Sequence, residues 1–145
     1  MWQRFTERAR RVIFFAQEEA GRVGDHRVDT QHILLGLVRE NDTRAAEALR
    51  LMNVSPARVR EEALKHVVRG NSMVNRDMQL TPHAKRVIDL TNDEANNLNS
   101  EYIDTEHLLL GLIGETDGAA SQVLSALGVS LGRAKEVVMQ MQRAN

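Results

Sequence analysis

The sequence predicts an all-α fold: an eight-helix bundle made of two four-helix repeats related by a pseudo-twofold axis. Three observations predict it. The chain repeats itself at an offset of 75 residues, apolar residues recur at three- and four-residue spacing, and no stretch alternates with the period of two that a strand requires. The repeat is plainest in DTQHILLGLVRE over 29–40 and DTEHLLLGLIGE over 104–115. The alignment runs ungapped from Thr6/Thr81 to Glu61/Glu136, and 22 of its 56 positions are identical, more than shared helical composition explains. A site built by one half should therefore have a counterpart in the other. Positions where the halves disagree carry the most information.

The elements follow in order. In the first helix of each repeat the apolar stripe is Ala9, Val12, Ile13, Ala16, Ala20 and Val23, matched by Ala84, Val87, Ile88, Thr91, Ala95 and Leu98. Thr81-Pro82 reads as an N-cap followed by proline at the first helical position, where a missing N–H costs nothing, and Thr6 holds the same place in the first repeat. Thr30 and Thr105 are expected to cap the second helices, which are apolar on nearly all sides and so form the buried centre of each half. Third helices are expected over 43–52 and 118–127, and fourth helices from Ser55-Pro56 and from Ser130. The polar stretch RGNSMVNRDMQL lacks periodicity and reads as a connector. The expected organisation is one domain over 1–145, with repeat one at 5–68, a linker at 69–79 and repeat two at 80–143. A half of about 70 residues with so apolar a central helix should pack on its twin.

Composition narrows the function classes. Hydrophobic content of 42% with 27% charged residues describes a folded globular chain. A net charge of −1 gives no global attraction to nucleic acid or anionic membrane, so neither is expected as a partner. The absence of cysteine excludes disulfides, thiolate nucleophiles and Cys-based zinc sites. ILLGLV and LLLGLI are too short to span a bilayer, and MWQRFTERARR has no apolar signal core, so a cytoplasmic location is expected. The cluster Arg4, Arg8, Arg10 and Arg11 reads as a solvated helix face, with a local anion site as the alternative.

Chemistry-bearing motifs are few. There is no phosphate-binding G-x-x-x-x-G-K-[ST] loop and no G-x-S-x-G elbow, so the domain itself is not expected to be an enzyme. His32 and His107 each follow a threonine by two and lie beside acidic or amide groups. A metal enzyme using His32, His107, Asp104 and Glu106 is the reading from a different class. The spacing misses the H-E-x-x-H pattern and lacks a third ligand, so no metal and no cofactor are expected, and the histidines read as first-turn residues hydrogen-bonded to a neighbouring helix.

RFTERARRVIFFAQEEA, DTQHILLGLVRE and the second-half LTPHAKRVIDL…YIDTEHLLLGLIGE closely resemble the N-terminal repeat domain of Clp/Hsp100 AAA+ unfoldases, the ClpC type most of all. The resemblance covers Met1 to about Gln142, and the double T-[EQ]-H-[IL]-L-L-G-L signature is highly specific. It implies an eight-helix domain that receives substrate and adaptor proteins for an ATP-driven unfoldase and its partner protease; a standalone regulator of the same fold is the alternative. It implies a monomer for the isolated domain. In ClpC-type members two equivalent pockets recognise phosphorylated arginine on substrates. By position the first pocket would use Arg4, Thr6 and Gln31, and the second Thr81, Lys85 and Glu106. A helix N-terminus offers N–H groups and a positive dipole end to phosphate, and a carboxylate can pair with the guanidinium.

This chain departs from the family's G-T-E-H in both copies. Gln31 stands where the acid is expected, Asp29 and Asp104 replace glycine, and His83 stands where arginine is usual. Charge-assisted hydrogen bonds contribute about 1.5–3 kcal/mol against roughly 1 for neutral ones. On sequence alone, the second pocket is therefore expected to be the more competent.

Overall fold

Short polar side chains set where the helices begin. In the computed structural model, which describes residues 2–70 and 79–144, Thr6 caps α1 (Glu7–Arg22) and Thr81 caps α5 (Pro82–Asn97) through hydroxyls that accept from Ala9 N and Ala84 N. Asp29 and Asp104 cap the central helices α2 (Thr30–Leu37) and α6 (Thr105–Gly114). Thr43 caps α3 (Arg44–Leu51) and Ser55 caps α4 (Pro56–Leu64), while α7 (Ala119–Ala126) starts after Gly118 and α8 (Leu131–Ala144) completes the second repeat. The helix ends repeat as well. Left-handed residues follow α1 and α5 at Gly24 (φ 71°) and Asn99 (φ 56°), and follow α3 and α7 at Asn53 (φ 63°) and Gly128 (φ 86°). Each pair lies 75 residues apart, and each site takes glycine in one half and asparagine in the other, the residues that best tolerate this backbone.

Both central helices are buried along almost their whole length, and Ile33, Leu34, Leu35, Leu37, Leu108, Leu109, Leu110 and Leu112 form the middle of the core. One glycine in each lets the first helix of its repeat lie against backbone. A Cβ on Gly36 would come within 2.5 Å of the Val12 carbonyl, and one on Gly111 within 2.7 Å of the Val87 carbonyl. The repeats are joined reciprocally. The Thr30 hydroxyl accepts from Ala120 N of α7 (3.2 Å), and the Thr105 hydroxyl accepts from Ala45 N of α3 (3.0 Å).

Two expectations need correction. No sheet was expected, yet β1 (Arg27–Val28) pairs in parallel with β2 (Gln79–Leu80), and Phe5 forms the equivalent bridge to Ile103. Pairings this short leave no alternating pattern to read; each ties the start of one repeat to the approach of the other's central helix. Thr30 and Thr105 are not the caps but the first helical residues, their hydroxyls turned to the opposite half, and the preceding aspartates do the capping. Most of the expected linker at 69–79 lies outside the described residues.

Candidate functional site

The site residues suggested by sequence gather at the N-termini of α2 and α6. The Asp29 carboxylate accepts from Thr30 N (2.8 Å) and from the Thr81 hydroxyl (2.8 Å); the Asp104 carboxylate accepts from Thr105 N (2.7 Å) and from the Thr6 hydroxyl (2.9 Å). Each central helix start is thus fastened to the first helix of the other repeat. A carboxylate here also suits the positive end of the helix dipole.

The histidines complete these caps. Asp29 N donates to His32 Nδ1 and Asp104 N donates to His107 Nδ1, both at 2.9 Å, so each ring is neutral with its proton on Nε2. Burial pushes His107 down to about 4, outweighing the opposite pull of Asp104, and it pushes His32 down as well. The partner is the helix's own cap rather than the neighbouring helix that sequence suggested. Among the described residues no group of three or more His, Cys, Asp or Glu side chains is placed to hold a metal ion.

One residue further, the halves diverge. Glu106 is only 5% exposed, and its Oε2 accepts from Arg44 Nε at 2.6 Å. Its Oε1 is buried with no hydrogen-bond partner among the described residues. Burial, and next the Asp104 carboxylate, raise the pKa of Glu106 despite Arg44, so its charge is held at some cost. Gln31 sits at the equivalent place on α2, and its Oε1 is likewise buried without a partner. Ala119 stands where Arg44 stands in the other half.

The remaining candidates are distributed differently from the sequence grouping. The Arg4 guanidinium is held on the second repeat by Asn92 Oδ1 (2.8 Å), Asn96 Oδ1 (2.9 Å) and the carbonyls of Ser100 (2.9 Å) and Glu101 (3.3 Å). Thr6 is bonded at the helix start that carries Glu106, and Thr81 at the one that carries Gln31. The two threonines therefore change places relative to the sets Arg4–Thr6–Gln31 and Thr81–Lys85–Glu106. Lys85 is exposed on α5, as its counterpart Arg10 is on α1. Arg8 pairs with Asp42 (2.7 Å) and Arg11 with Glu40 (3.1 Å), while Arg86 pairs with Glu115 (2.7 Å) and His83 lies 3.7 Å from Glu115. The basic cluster is thus largely paired within the fold. Sequence reasoning missed Arg44. The signal was present: a cation and an alanine at equivalent positions, one residue before the matched Ala45 and Ala120.

Comparison with known proteins places this arrangement. The family model of the Clp repeat (R) N-terminal domain matches residues 4–127 and 79–143. The Bacillus subtilis negative regulator of genetic competence ClpC/MecB is 46% identical over all 145 residues, and the ATP-dependent Clp protease ATP-binding subunit ClpA homolog of Porphyra purpurea is also 46% identical over the whole chain. The chain spans 18% of the length of each. Among solved structures, the N-terminal domain of the chaperone ClpD from Arabidopsis thaliana superposes with a TM-score of 0.72 at 28% identity, covering 99% of this chain and 97% of that one. The Hsp104 N-terminal domain from Candida albicans shares the fold at a TM-score of 0.79 and 16% identity, covering 97% of this chain and 93% of that one. On the family match, the chain belongs to the Clp repeat N-terminal domain family.

Proposed function

We propose that this domain, itself non-catalytic, receives substrate and adaptor proteins for a ClpC-type unfoldase that feeds a Clp protease in the cytoplasm. It takes phosphorylated arginine side chains at the starts of α2 and α6. The relatives' names support the first part, since they include a Clp protease ATP-binding subunit.

The observation that carries the second part is the pair of buried oxygens at equivalent places, Gln31 Oε1 and Glu106 Oε1, neither with a hydrogen-bond partner among the described residues. A buried acceptor without a donor costs about 1–3 kcal/mol, so a ligand that brings N–H groups to it gains accordingly. A guanidinium carries five such donors in one plane, and the phosphate attached to it is drawn by the dipole of the helix start. Of the phosphate donors named from sequence, Arg4, Thr6 and Thr81 are engaged inside the fold, and Lys85 is exposed.

Calorimetric titration with phosphoarginine tests the reading. The wild type binds, Gln31→Glu tightens binding about three- to thirtyfold by making the contact charge-assisted, and Gln31→Ala/Glu106→Ala abolishes it. Wild-type affinity in that double variant would show that the acceptors lie elsewhere.

A further inference from the structure

The two acceptor positions share a backbone setting but not a charge state. At the start of α6, Glu106 is met by Arg44, the first residue of α3; at the start of α2, Gln31 holds the matching position, and the residue that matches Arg44 is Ala119, the first of α7. At these two matched positions acid and base occur together in one half and are absent together from the other. Neither helix start needs the cation for its own sake. A positive side chain at a helix N-terminus opposes the dipole, and α7 begins without one. The backbone bond that sets each junction, alanine N–H to threonine hydroxyl, is the same in both. Arg44 bonds Glu106, and the other half carries no cation at the matching position.

The contact it makes takes one of the two carboxylate oxygens that a bidentate guanidinium ligand would use, and leaves Oε1 without a partner among the described residues. Arg44 brings a guanidinium N–H to 2.6 Å from Glu106 Oε2, and it is the more exposed partner, 29% against 7% for the side chains. We propose that Arg44 is a built-in guanidinium that occupies Glu106 and closes the acceptor site of the second half, leaving the neutral Gln31 site as the open one. This regulation rests on the reading of both sites as guanidinium acceptors. It reverses the order of competence expected from sequence, where Glu106 counted as the stronger residue because its occupant was not visible. A tethered occupant lowers apparent affinity by the fraction of time the site is open, so a site closed nine-tenths of the time binds about tenfold more weakly.

Phosphoarginine calorimetry on a set of variants tests the closure from both sides. Arg44→Met keeps the apolar stem and removes the guanidinium; it should tighten binding at the Glu106 site about tenfold, and adding Glu106→Gln should remove that gain. The transplant asks the same question in the other half. Gln31→Glu should tighten binding there, and Gln31→Glu/Ala119→Arg, which installs the same pair, should lose about tenfold of it. If Gln31→Glu binds but Arg44→Met equals wild type, Arg44 does not gate the site and the proposal fails alone. If Arg44→Met does not fold, the transplant decides: a double variant as tight as Gln31→Glu overturns the proposal. If no variant binds phosphoarginine, Gln31→Glu included, the reading of the site fails and the closure with it.

Discussion

The junction of α2 with α7 and the junction of α6 with α3 lie at equivalent places in the two halves, and they differ in a limited way. Both keep the aspartate cap, the histidine on the cap's own N–H, and the threonine hydroxyl that accepts from an alanine N–H across the twofold. They part at two side chains, Gln31 with Ala119 in one and Glu106 with Arg44 in the other. Backbone-directed bonds hold the halves together, so changing them would disturb both repeats at once. Side chains one position away are released from that duty and diverge as a pair, since a buried carboxylate without its partner would be expensive.

If that division is right, variants in the shared scaffold should behave alike in both halves. Leu35→Ala and Leu110→Ala remove equivalent, fully buried side chains. Each should lower unfolding free energy by about 2–5 kcal/mol, with the two within about 1 kcal/mol of each other by chemical denaturation. A clear inequality would break the symmetry of the core. Acid comes next. His107 titrates near 4 in the fold against about 6.5 unfolded, so between those values the unfolded chain binds more protons. Stability is fully present above pH 6.5 and falls as pH drops toward 4, by about 3 kcal/mol for this residue, and His32 acts with the same sign. His107→Gln, measured by denaturation from pH 7 to 4.5, should flatten that decline, and an unchanged slope would assign it elsewhere.

Much of the scaffold was legible because it is local. Apolar spacing, Thr-Pro and Ser-Pro starts, and the doubled phrase predict eight helices in two repeats, and the family match and shared fold agree. The reciprocal exchange was not legible. Thr6 reaches Asp104 and Thr81 reaches Asp29, 98 and 52 residues away, and no local pattern says that a cap will be shared between halves. The two-residue parallel strands escaped for the same reason. Thr30 was misread as a cap because threonine suits that place as well as aspartate does, and only the structure shows which side chain turns inward. Arg44 escaped because an arginine early in a helix ordinarily reads as a solvated charge.

The most direct test of the account is a double-mutant cycle at the junction that differs. Stabilities of wild type, Arg44→Ala, Glu106→Gln and the double variant, which copies the Gln31/Ala119 junction, would be compared by denaturation. Arg44→Ala alone should cost about 1–3 kcal/mol because it strands a buried carboxylate. The double variant should recover most of that loss, giving a coupling of at least about 1 kcal/mol. Additive effects, with no recovery in the double variant, would contradict the claim that Arg44 and Glu106 act as one pair setting the two halves apart.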